Sequence, residues 1–333
     1  MAAGLSSDNF VASVIVPTRN RAEFIERFLP SLADQNVSEP YEVIVADNGS
    51  TDTTAMVVQR MARRWPHIRM ISEAKPGAAR ARHAGAMAAQ SPLLIFVDDD
   101  MRAEPDWVAE HLRMHRETPG GVVLGRMLSA PGSHPFERMM AYIYDGPMSA
   151  LARRAPGPFD YWSGNVSISR ELYFGLGGYS EALAELRCGE DMLFGLRLSA
   201  AGVSVRFATE ATTHHHFIER FGARLNRSYR IGIATAYVKE KHPELPLDGV
   251  ASHGGRWRFL LIEWLCRASA RVMEPLDSKS GVPMVPLSFV YDLGLRTATQ
   301  RGMMDYKAGD ASYKLKPAGA RETEHRMKGT LES

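Results

Sequence analysis

The sequence predicts an α/β protein whose mainly parallel central sheet is flanked by helices. A strand, a loop and an amphipathic helix follow one another twice within the first 65 residues. The later run 93–97 (LLIFV) is apolar at all five positions, as is typical of a strand buried on both faces. Alternating strands and helices of this length indicate parallel strands with helices covering both faces of the sheet.

Length and composition restrict the class of protein further. The chain has 333 residues, a length sufficient to bury a full core. Of these residues 45% are hydrophobic and 23% are charged, as in an ordinary globular protein. A net charge of +2 gives no reason to expect nucleic-acid binding. The only cysteines, Cys188 and Cys266, lack metal-like spacing, so a disulfide framework is not expected and a reducing cytoplasm fits.

The sequence also bears on location. Its first residues have neither the basic nor the apolar region of a signal peptide, and no apolar stretch reaches membrane-spanning length. We therefore expect a cytoplasmic protein, or one that lies peripherally at the inner face of the membrane.

The N-terminal half contains the predicted strands in order. Strands are predicted at 11–17, 41–46 and 68–72, and helices from about residue 22, from about residue 50 to 65, and over 77–90. Ligands of such sheets bind outside the C-terminal ends of the strands, so the side chains found there are expected to share one rim. These are Thr18, Asp47, the stretch 75–82 and Asp98 to Asp100.

Three adjacent carboxylates, Asp98, Asp99 and Asp100, end the apolar run. Like charges repel, and burying even one costs several kcal/mol unless a cation or ligand compensates it. Oxygen ligands suit Mg²⁺ or Mn²⁺, and these cations in turn bind diphosphates. A solvated acidic loop after a core strand is the alternative.

The composition of this rim suits a nucleotide. It offers acceptors for a base or ribose, cations for phosphate and carboxylates for a metal. No GxGxxG follows the first strand, which disfavours a dinucleotide-binding domain, and the absence of GxxxxGK[ST] disfavours a P-loop.

Four segments occur in a specific order: 13–21 (SVIVPTRNR), 45–52 (VADNGSTD), 75–85 (KPGAARARHAG) and 96–100 (FVDDD). Together they resemble the nucleotide-sugar-binding half of family 2 glycosyltransferases, which have the GT-A fold. The resemblance implies an inverting sugar transfer from a nucleoside diphosphate sugar, assisted by Mn²⁺ or Mg²⁺. Uridine is the favoured base, with thymidine and guanosine left open.

The same resemblance assigns donor-binding residues. It places Pro17, Thr18 and Asp47 against the base, and Asp98 at the ribose and donor, and it gives Asp100 the metal. The full donor-binding set is Pro17, Thr18, Arg19, Asp47, Lys75, Arg82, Asp98 and Asp99. An Asx-turn for Asp47 and a solvated helix face for Arg82 are the structural alternatives.

The middle of the chain resembles the acceptor half of the same transferases. Residues 129–158 have no clear periodicity and are expected to form a variable loop over the site. Glu190 and Asp191 begin an apolar-periodic helix, and the resemblance makes Asp191 the catalytic base and Glu190 an acceptor-positioning residue. A favourable interaction of acidic residues with the helix dipole is the alternative. The expected acceptor-binding residues are Trp162, Gly164 and Asn165.

Three consecutive histidines follow a predicted strand at 203–207. Alternate residues of a strand share a face, so His214 and His216 point to one side and His215 to the other. The resemblance places a metal-binding histidine at about this point, and we favour His214, with His216 as the alternative. An ordinary core or surface position is open for each of them.

The sequence divides into four regions: the donor half at 1–128, the acceptor half at 129–237, a helical extension at 238–310 and a disordered tail at 311–333. Helices are predicted at 257–273 and near 288–300, and they offer a surface for a membrane or a second copy.

The leading hypothesis is therefore a glycosyltransferase whose acceptor is a glycan, lipid, peptide or small natural product. A sugar-1-phosphate nucleotidyltransferase and a non-catalytic sugar-nucleotide-binding protein of the same fold are the rivals.

Overall fold

The computed structural model describes residues 10–130, 141, 145–146, 148–216, 221–245, 247 and 285–307. The strands are β1 (Ala12–Thr18), β2 (Tyr41–Asp47), β3 (Ile68–Ser72), β4 (Leu93–Val97), β5 (Met101–Ala103), β6 (Val122–Ser129), β7 (Asn165–Ser169) and β8 (Val205–His215). The helices are α1 (Ala22–Ala33), α2 (Thr54–Arg64), α3 (Ala78–Ala88), α4 (Trp107–Glu117), α5 (Arg170–Gly175), α6 (Glu181–Ala184), α7 (Glu190–Ala200), α8 (Phe221–Lys241) and α9 (Val285–Lys307).

All of these strands belong to one sheet, in the order β3-β2-β1-β4-β7-β6-β8-β5. The first four strands in that order are parallel, as the sequence predicts. Strands β1, β2 and β4 are buried at every position, because helices cover both faces of this part of the sheet. Parallel register brings Thr18 beside Asp47, so the C-terminal ends of β1 and β2 meet at one rim.

The second half makes the sheet mixed. Strand β7 is antiparallel to both β4 and β6, and β8 is parallel to β6 but antiparallel to the short β5. Because β7 lies between β4 and β6, the donor and acceptor halves share one continuous set of backbone hydrogen bonds. The expected boundary between the halves, after residue 128, falls at the end of β6.

Two hydrophobic cores lie on the two faces of the sheet. The first core contains Trp107. The second contains Phe96, which packs with Tyr173 and Tyr179. Helix α7 contributes Phe194 to this aromatic core, which therefore reaches from β4 to the acidic pair at the start of α7.

The described part of the C-terminal region consists of two closely packed helices. A Cβ atom added to Gly232 of α8 would lie 1.9 Å from the carbonyl oxygen of Thr299, and one on Gly302 of α9 would lie 1.9 Å from that of Tyr229. The backbones of α8 and α9 therefore touch at two glycines. The helix predicted near 288–300 lies within α9. The helix predicted at 257–273 and the tail at 311–333 lie outside the described residues. None of the helices in the described part of the chain has the length and apolar character needed to cross a membrane.

Candidate active site

The three carboxylates after β4 lie at the C-terminal edge of the sheet, where each has a different partner. Thr18, the last residue of β1, donates a hydrogen bond from Oγ1 to Oδ2 of Asp99 at 2.7 Å. Burial raises the pKa of Asp99 to about 7, and the charges of Asp100 and Asp98 act in the same direction. The acidic triplet is thus part of a packed cleft and differs from a solvated loop.

Asp100 lies between a guanidinium and an imidazole. Its Oδ2 is 3.5 Å from Nη1 of Arg21, and its Oδ1 is 3.3 Å from Nε2 of His215. Burial opposes ionisation of this carboxyl group, but the nearby His215 and the charge of Arg21 hold its pKa below the ordinary value. Neither Arg21 nor His215 was among the residues expected from the sequence.

The three consecutive histidines have different partners. His214 places Nε2 2.5 Å from Oε1 of Glu104, and the ring of His216 packs against Phe28 with centroids 4.9 Å apart. Strand β8 ends at His215, so the predicted alternation does not extend to His216, and the histidine that meets Asp100 is His215. This follows from the register of β8 with β5, which pairs His215 with Met101, the residue after Asp100.

Arg82 joins the two halves of the site. It is buried, its Nη2 lies 2.5 Å from Oδ1 of Asp98, and its Nη1 lies 3.5 Å from Oε1 of Glu190. Burial disfavours the cation, yet the charges of Asp98, Asp191 and Glu190 raise its pKa above the ordinary value. We expected Arg82 to hold the nucleotide, but both terminal nitrogens already contact carboxylates of this chain, so its contact is with the site's own acids.

The acidic pair stands at the first turn of α7. Gly189 precedes it with φ +90°, and a Cβ atom there would lie 2.6 Å from Cβ of Ala234 in α8. Burial raises the pKa of Asp191 to about 6, the neighbouring Glu190 adds to the rise, and Arg82 and Ser163 oppose it. Oδ1 of Asp191 is buried and has no hydrogen-bond partner among the described residues. A carboxylate in this state has an oxygen available for a substrate proton.

Side-chain hydrogen bonds hold the loop that follows β2. Asp47 is buried and accepts a hydrogen bond from the backbone N–H of Ser50 at 3.2 Å, so its side chain holds the loop that follows β2, although the bond spans one residue more than in the Asx-turn named as the alternative. The next residue, Asn48, was not singled out from the sequence although it lies within the VADNGSTD segment. Its Nδ2 donates to the carbonyl oxygen of Lys75 at 2.7 Å, and its Oδ1 accepts from the N–H of Gly77 at 2.6 Å. Asn48 thus fixes the loop that carries Lys75.

The other expected donor-binding residues differ in exposure. Pro17 is buried within β1, whereas Arg19 and Lys75 are exposed at the rim. A cavity of about 580 Å³ lies beside Lys75, between β3 and α3, and is lined also by Arg80 and His83. Its lining does not include the three aspartates, so this cavity is separate from the acidic cleft.

The expected acceptor residues divide into two groups. Gly164 lies against the donor carboxylates, because a Cβ atom there would be 2.9 Å from Oδ2 of Asp98. Trp162 is half-buried beside Phe207, and its Nε1 has no hydrogen-bond partner among the described residues. Of the two, Gly164 stands at the cleft.

Asn165, the third expected acceptor residue, lies in the protein interior. Its side chain is fully buried, and Oδ1 accepts hydrogen bonds from Nε1 of Trp107 at 2.9 Å and from Nε2 of His111 at 3.0 Å. Its Nδ2 donates to the carbonyl oxygens of Arg126 and Ala211. With both ends occupied inside the protein, this residue has a structural role in place of the expected contact with an acceptor.

Metal-binding capacity is limited among the residues that the structure describes. The described residues hold no group of three or more His, Cys, Asp or Glu side chains arranged as a complete metal site. The pair Asp100 and His215 therefore offers two ligands, which suits a cation that takes its remaining ligands from phosphate and water.

Comparisons with known proteins bear on the family and the fold. Residues 13–174 match the family model described as Glycosyl transferase family 2. The validoxylamine A glucosyltransferase of Streptomyces hygroscopicus subsp. jinggangensis (strain 5008) is 32% identical over 237 residues, covering 62% of this chain and 56% of the relative. The protein of the same name from subsp. limoneus is 31% identical, covering 62% and 52%. The chain thus spans about half the length of these curated relatives.

Two solved structures share the fold. The mannosyltransferase PcManGT from Pyrobaculum calidifontis, in complex with GDP-Man and Mn²⁺, superimposes with a TM-score of 0.57 at 19% identity, covering 89% of this chain and 87% of that one. S. aureus TarS 1–349 in complex with UDP-GlcNAc gives a TM-score of 0.51 at 17% identity, covering 90% and 92%. These likenesses show a fold of the GT-A type.

Proposed function

We propose that this chain, whose residues 13–174 match the model of Glycosyl transferase family 2, transfers a sugar from a nucleoside diphosphate sugar to an acceptor nucleophile with inversion at the anomeric carbon. The observation that carries the proposal is the position of Arg82, whose guanidinium contacts Asp98 on the donor side and Glu190 on the acceptor side. One cleft therefore holds the acidic groups that the two substrates require.

The donor is proposed to lie across the C-terminal ends of β1, β2 and β4. Thr18 and Asp47 stand next to each other at this rim, and Lys75 is exposed near it. Relatives named as glucosyltransferases and neighbours solved with GDP-Man and UDP-GlcNAc support a hexose on a nucleoside diphosphate. We favour uridine as the base, with guanosine and thymidine as alternatives.

Asp100 and His215 are the residues that would hold a divalent cation. Their side chains face each other at 3.3 Å, and Asp100 stays ionised because the pKa of its carboxyl group is held low. Such a cation, when bound, would offset the negative charge of the departing diphosphate. We propose His215 for this role in place of His214 and His216.

Asp191 is proposed as the general base. Its Oδ1 takes the proton of the acceptor hydroxyl as that oxygen bonds to the anomeric carbon, while the bond from this carbon to the diphosphate oxygen breaks. A pKa of about 6 leaves Asp191 ionised at neutral pH but basic enough to accept a proton. Glu190 sustains this pKa by its charge, and Asp98 offsets positive charge that develops on the sugar.

A binding experiment tests the donor assignment. The protein's melting temperature is measured with UDP-glucose, UDP-GlcNAc, GDP-mannose or dTDP-glucose. We expect the rise in melting temperature to differ among these donors, and the rise for the best donor to be larger when Mn²⁺ is present. No rise with any nucleotide sugar, with or without Mn²⁺, would contradict the proposal.

A turnover experiment tests the chemistry. We expect release of a nucleoside diphosphate, and we expect Asp191→Asn to abolish it while donor binding is retained. Asp34→Asn, at an exposed aspartate just beyond the far end of α1, is the control and should act like the wild type. Release of pyrophosphate would favour a nucleotidyltransferase, and donor binding without any release would favour a non-catalytic binding protein.

A further inference from the structure

We propose that Arg21 is an exchangeable counter-ion: it neutralises Asp100 while no metal is bound, and it moves to the diphosphate of the donor once a divalent cation takes its place. This inference rests on the proposed function, because it requires a diphosphate beside Asp100. It assigns Arg21 a direct contact with the substrate's leaving group.

The backbone of Arg21 is anchored, and its side chain is partly exposed. Its N–H donates to Oγ1 of Thr54 at 3.0 Å, which anchors the residue just before α1. The guanidinium lies over the ring of Phe24, with its central carbon 4.6 Å from the centroid. From this support Nη1 reaches Oδ2 of Asp100 at 3.5 Å.

The contact with Asp100 is weak enough to exchange. The side chain of Arg21 is 41% exposed and makes a single long approach to the carboxylate. Arg82, in contrast, is only 6% exposed and lies 2.5 Å from Asp98. Half-exposed ion pairs contribute little free energy, whereas buried pairs are costly to break. Arg82 is therefore a fixed part of the cleft, and Arg21 is a replaceable one.

The two oxygens of Asp100 explain the direction of the exchange. His215 faces Oδ1 and Arg21 faces Oδ2, so a cation held by Asp100 and His215 would be close to the guanidinium and would repel it. A diphosphate bound to that cation brings negative oxygens to the same place. The planar fork of an arginine side chain suits two phosphate oxygens at once.

The groups around Arg21 are consistent with this role. Its charge acts on both Asp99 and Asp100, whereas the third aspartate, Asp98, is paired with Arg82. The position before α1 also lies at the end of β1, next to Thr18 and the rim where the donor is proposed to bind.

The test measures two affinities that should change in opposite directions. For Arg21→Met we expect Mn²⁺ alone to bind roughly threefold to fivefold more tightly, because a competing positive charge is removed. We expect UDP in saturating Mn²⁺ to bind about tenfold more weakly, because a charge-assisted contact is lost. Free Mn²⁺ is followed by electron paramagnetic resonance and UDP by calorimetry.

Two further variants control for folding and for charge. Arg60→Met removes an exposed arginine that pairs with Glu26 at 2.6 Å on the outer side of α1 and α2, and it should change neither affinity. Arg21→Lys keeps the charge but not the fork, so it should retain the wild-type Mn²⁺ affinity and recover only part of the UDP affinity.

The outcomes separate the two proposals. One outcome overturns the role of Arg21 alone. In it, the wild type binds Mn²⁺ and UDP, and Arg21→Met and Arg21→Lys either leave the two affinities unchanged or shift the two affinities in the same direction. A wild type that binds no nucleoside diphosphate, with UDP, GDP and dTDP all tried, overturns the proposed function and this inference with it.

Discussion

Nη2 of Arg82 lies 2.5 Å from Oδ1 of Asp98, in a cleft whose other wall is formed by Glu190 and Asp191. One buried cation thus balances several carboxylates that come from opposite halves of the chain. Removing that cation leaves like charges facing one another without compensation.

Arg82→Met should therefore destabilise the protein. We expect a loss of about 3 kcal/mol in the free energy of unfolding, the order found when one member of a buried ion pair is removed. Urea denaturation at pH 7.5 measures it. Arg82→Lys keeps the charge and should lose less, and an unchanged midpoint in Arg82→Met would contradict the bridging role.

The pH dependence of turnover should report on Asp191. Since its pKa is raised to about 6 and the base must be ionised, kcat/KM should fall about tenfold per pH unit below that value. In Glu190→Gln the fall should begin at a lower pH, because a negative neighbour that raises the pKa is gone. Glu110→Gln, on α4, serves as the control. A profile that is flat from pH 7 to 4.5 would exclude Asp191 as the base.

The close approach of Gly164 to Asp98 leads to a prediction about turnover. In Gly164→Ala the new Cβ atom would meet Oδ2 of Asp98 at 2.9 Å and Sδ of Met127 at 3.3 Å. We expect turnover to fall at least about tenfold, since small displacements of reacting groups are costly. Gly175→Ala has nothing within 4 Å of its Cβ and should retain full activity. Equal activity of the two variants would show that the approach of residue 164 to Asp98 is unimportant.

Because His111 is buried, we expect the free energy of unfolding to decrease in acid. Burial lowers the pKa of His111 to about 3 from its ordinary 6.5. Between these values the unfolded chain binds a proton that the folded protein does not, so stability is fully present above pH 6.5 and is lost as the pH falls. At pH 5 the contribution lost is about 2 kcal/mol.

Urea denaturation at pH 7.5 and pH 5 measures this loss. His111→Gln should reduce the difference between the two pH values, although it removes hydrogen bonds and lowers stability at both. A smaller difference should remain, because burial also lowers the pKa of His67 and His115. A variant with the same pH dependence as the wild type would contradict the assignment to His111.

The hydrogen bonds around His111 have one consistent arrangement. Oδ1 of Asn165 is only an acceptor, so His111 must donate from Nε2 and accept at Nδ1 from the hydroxyl of Ser167. Ser167 then accepts from Nε2 of His115 at 2.8 Å. A proton added to His111 would make Nδ1 a donor and break this chain of bonds.

Much of the donor half was predictable because its signals are local. The apolar run before Asp98 identified a buried strand, and Thr18 and Asp47 were placed at one rim by the rule for parallel sheets. The family and the fold followed from four short segments. Such features depend on residues that are close in sequence.

The remaining parts depend on contacts between distant residues. Which of the three histidines meets Asp100 is decided by the register of β8 with β5, which no periodicity reveals. Asn165 took a structural role because Trp107 and His111 approach it from α4, more than 50 residues away. Arg21 and Asn48 lie in motifs that were noticed, but their side-chain partners emerge only when the loops are folded together.

Strand β7 has a consequence for how substrates enter. It is hydrogen-bonded to β4 along one edge and to β6 along the other, so the segments that carry Asp98 and Gly164 belong to one continuous sheet. The opposite wall, with Glu190 and Asp191, is carried by helix α7 outside that sheet, so any widening of the cleft must come from this helix or from side chains, while the strands stay in register.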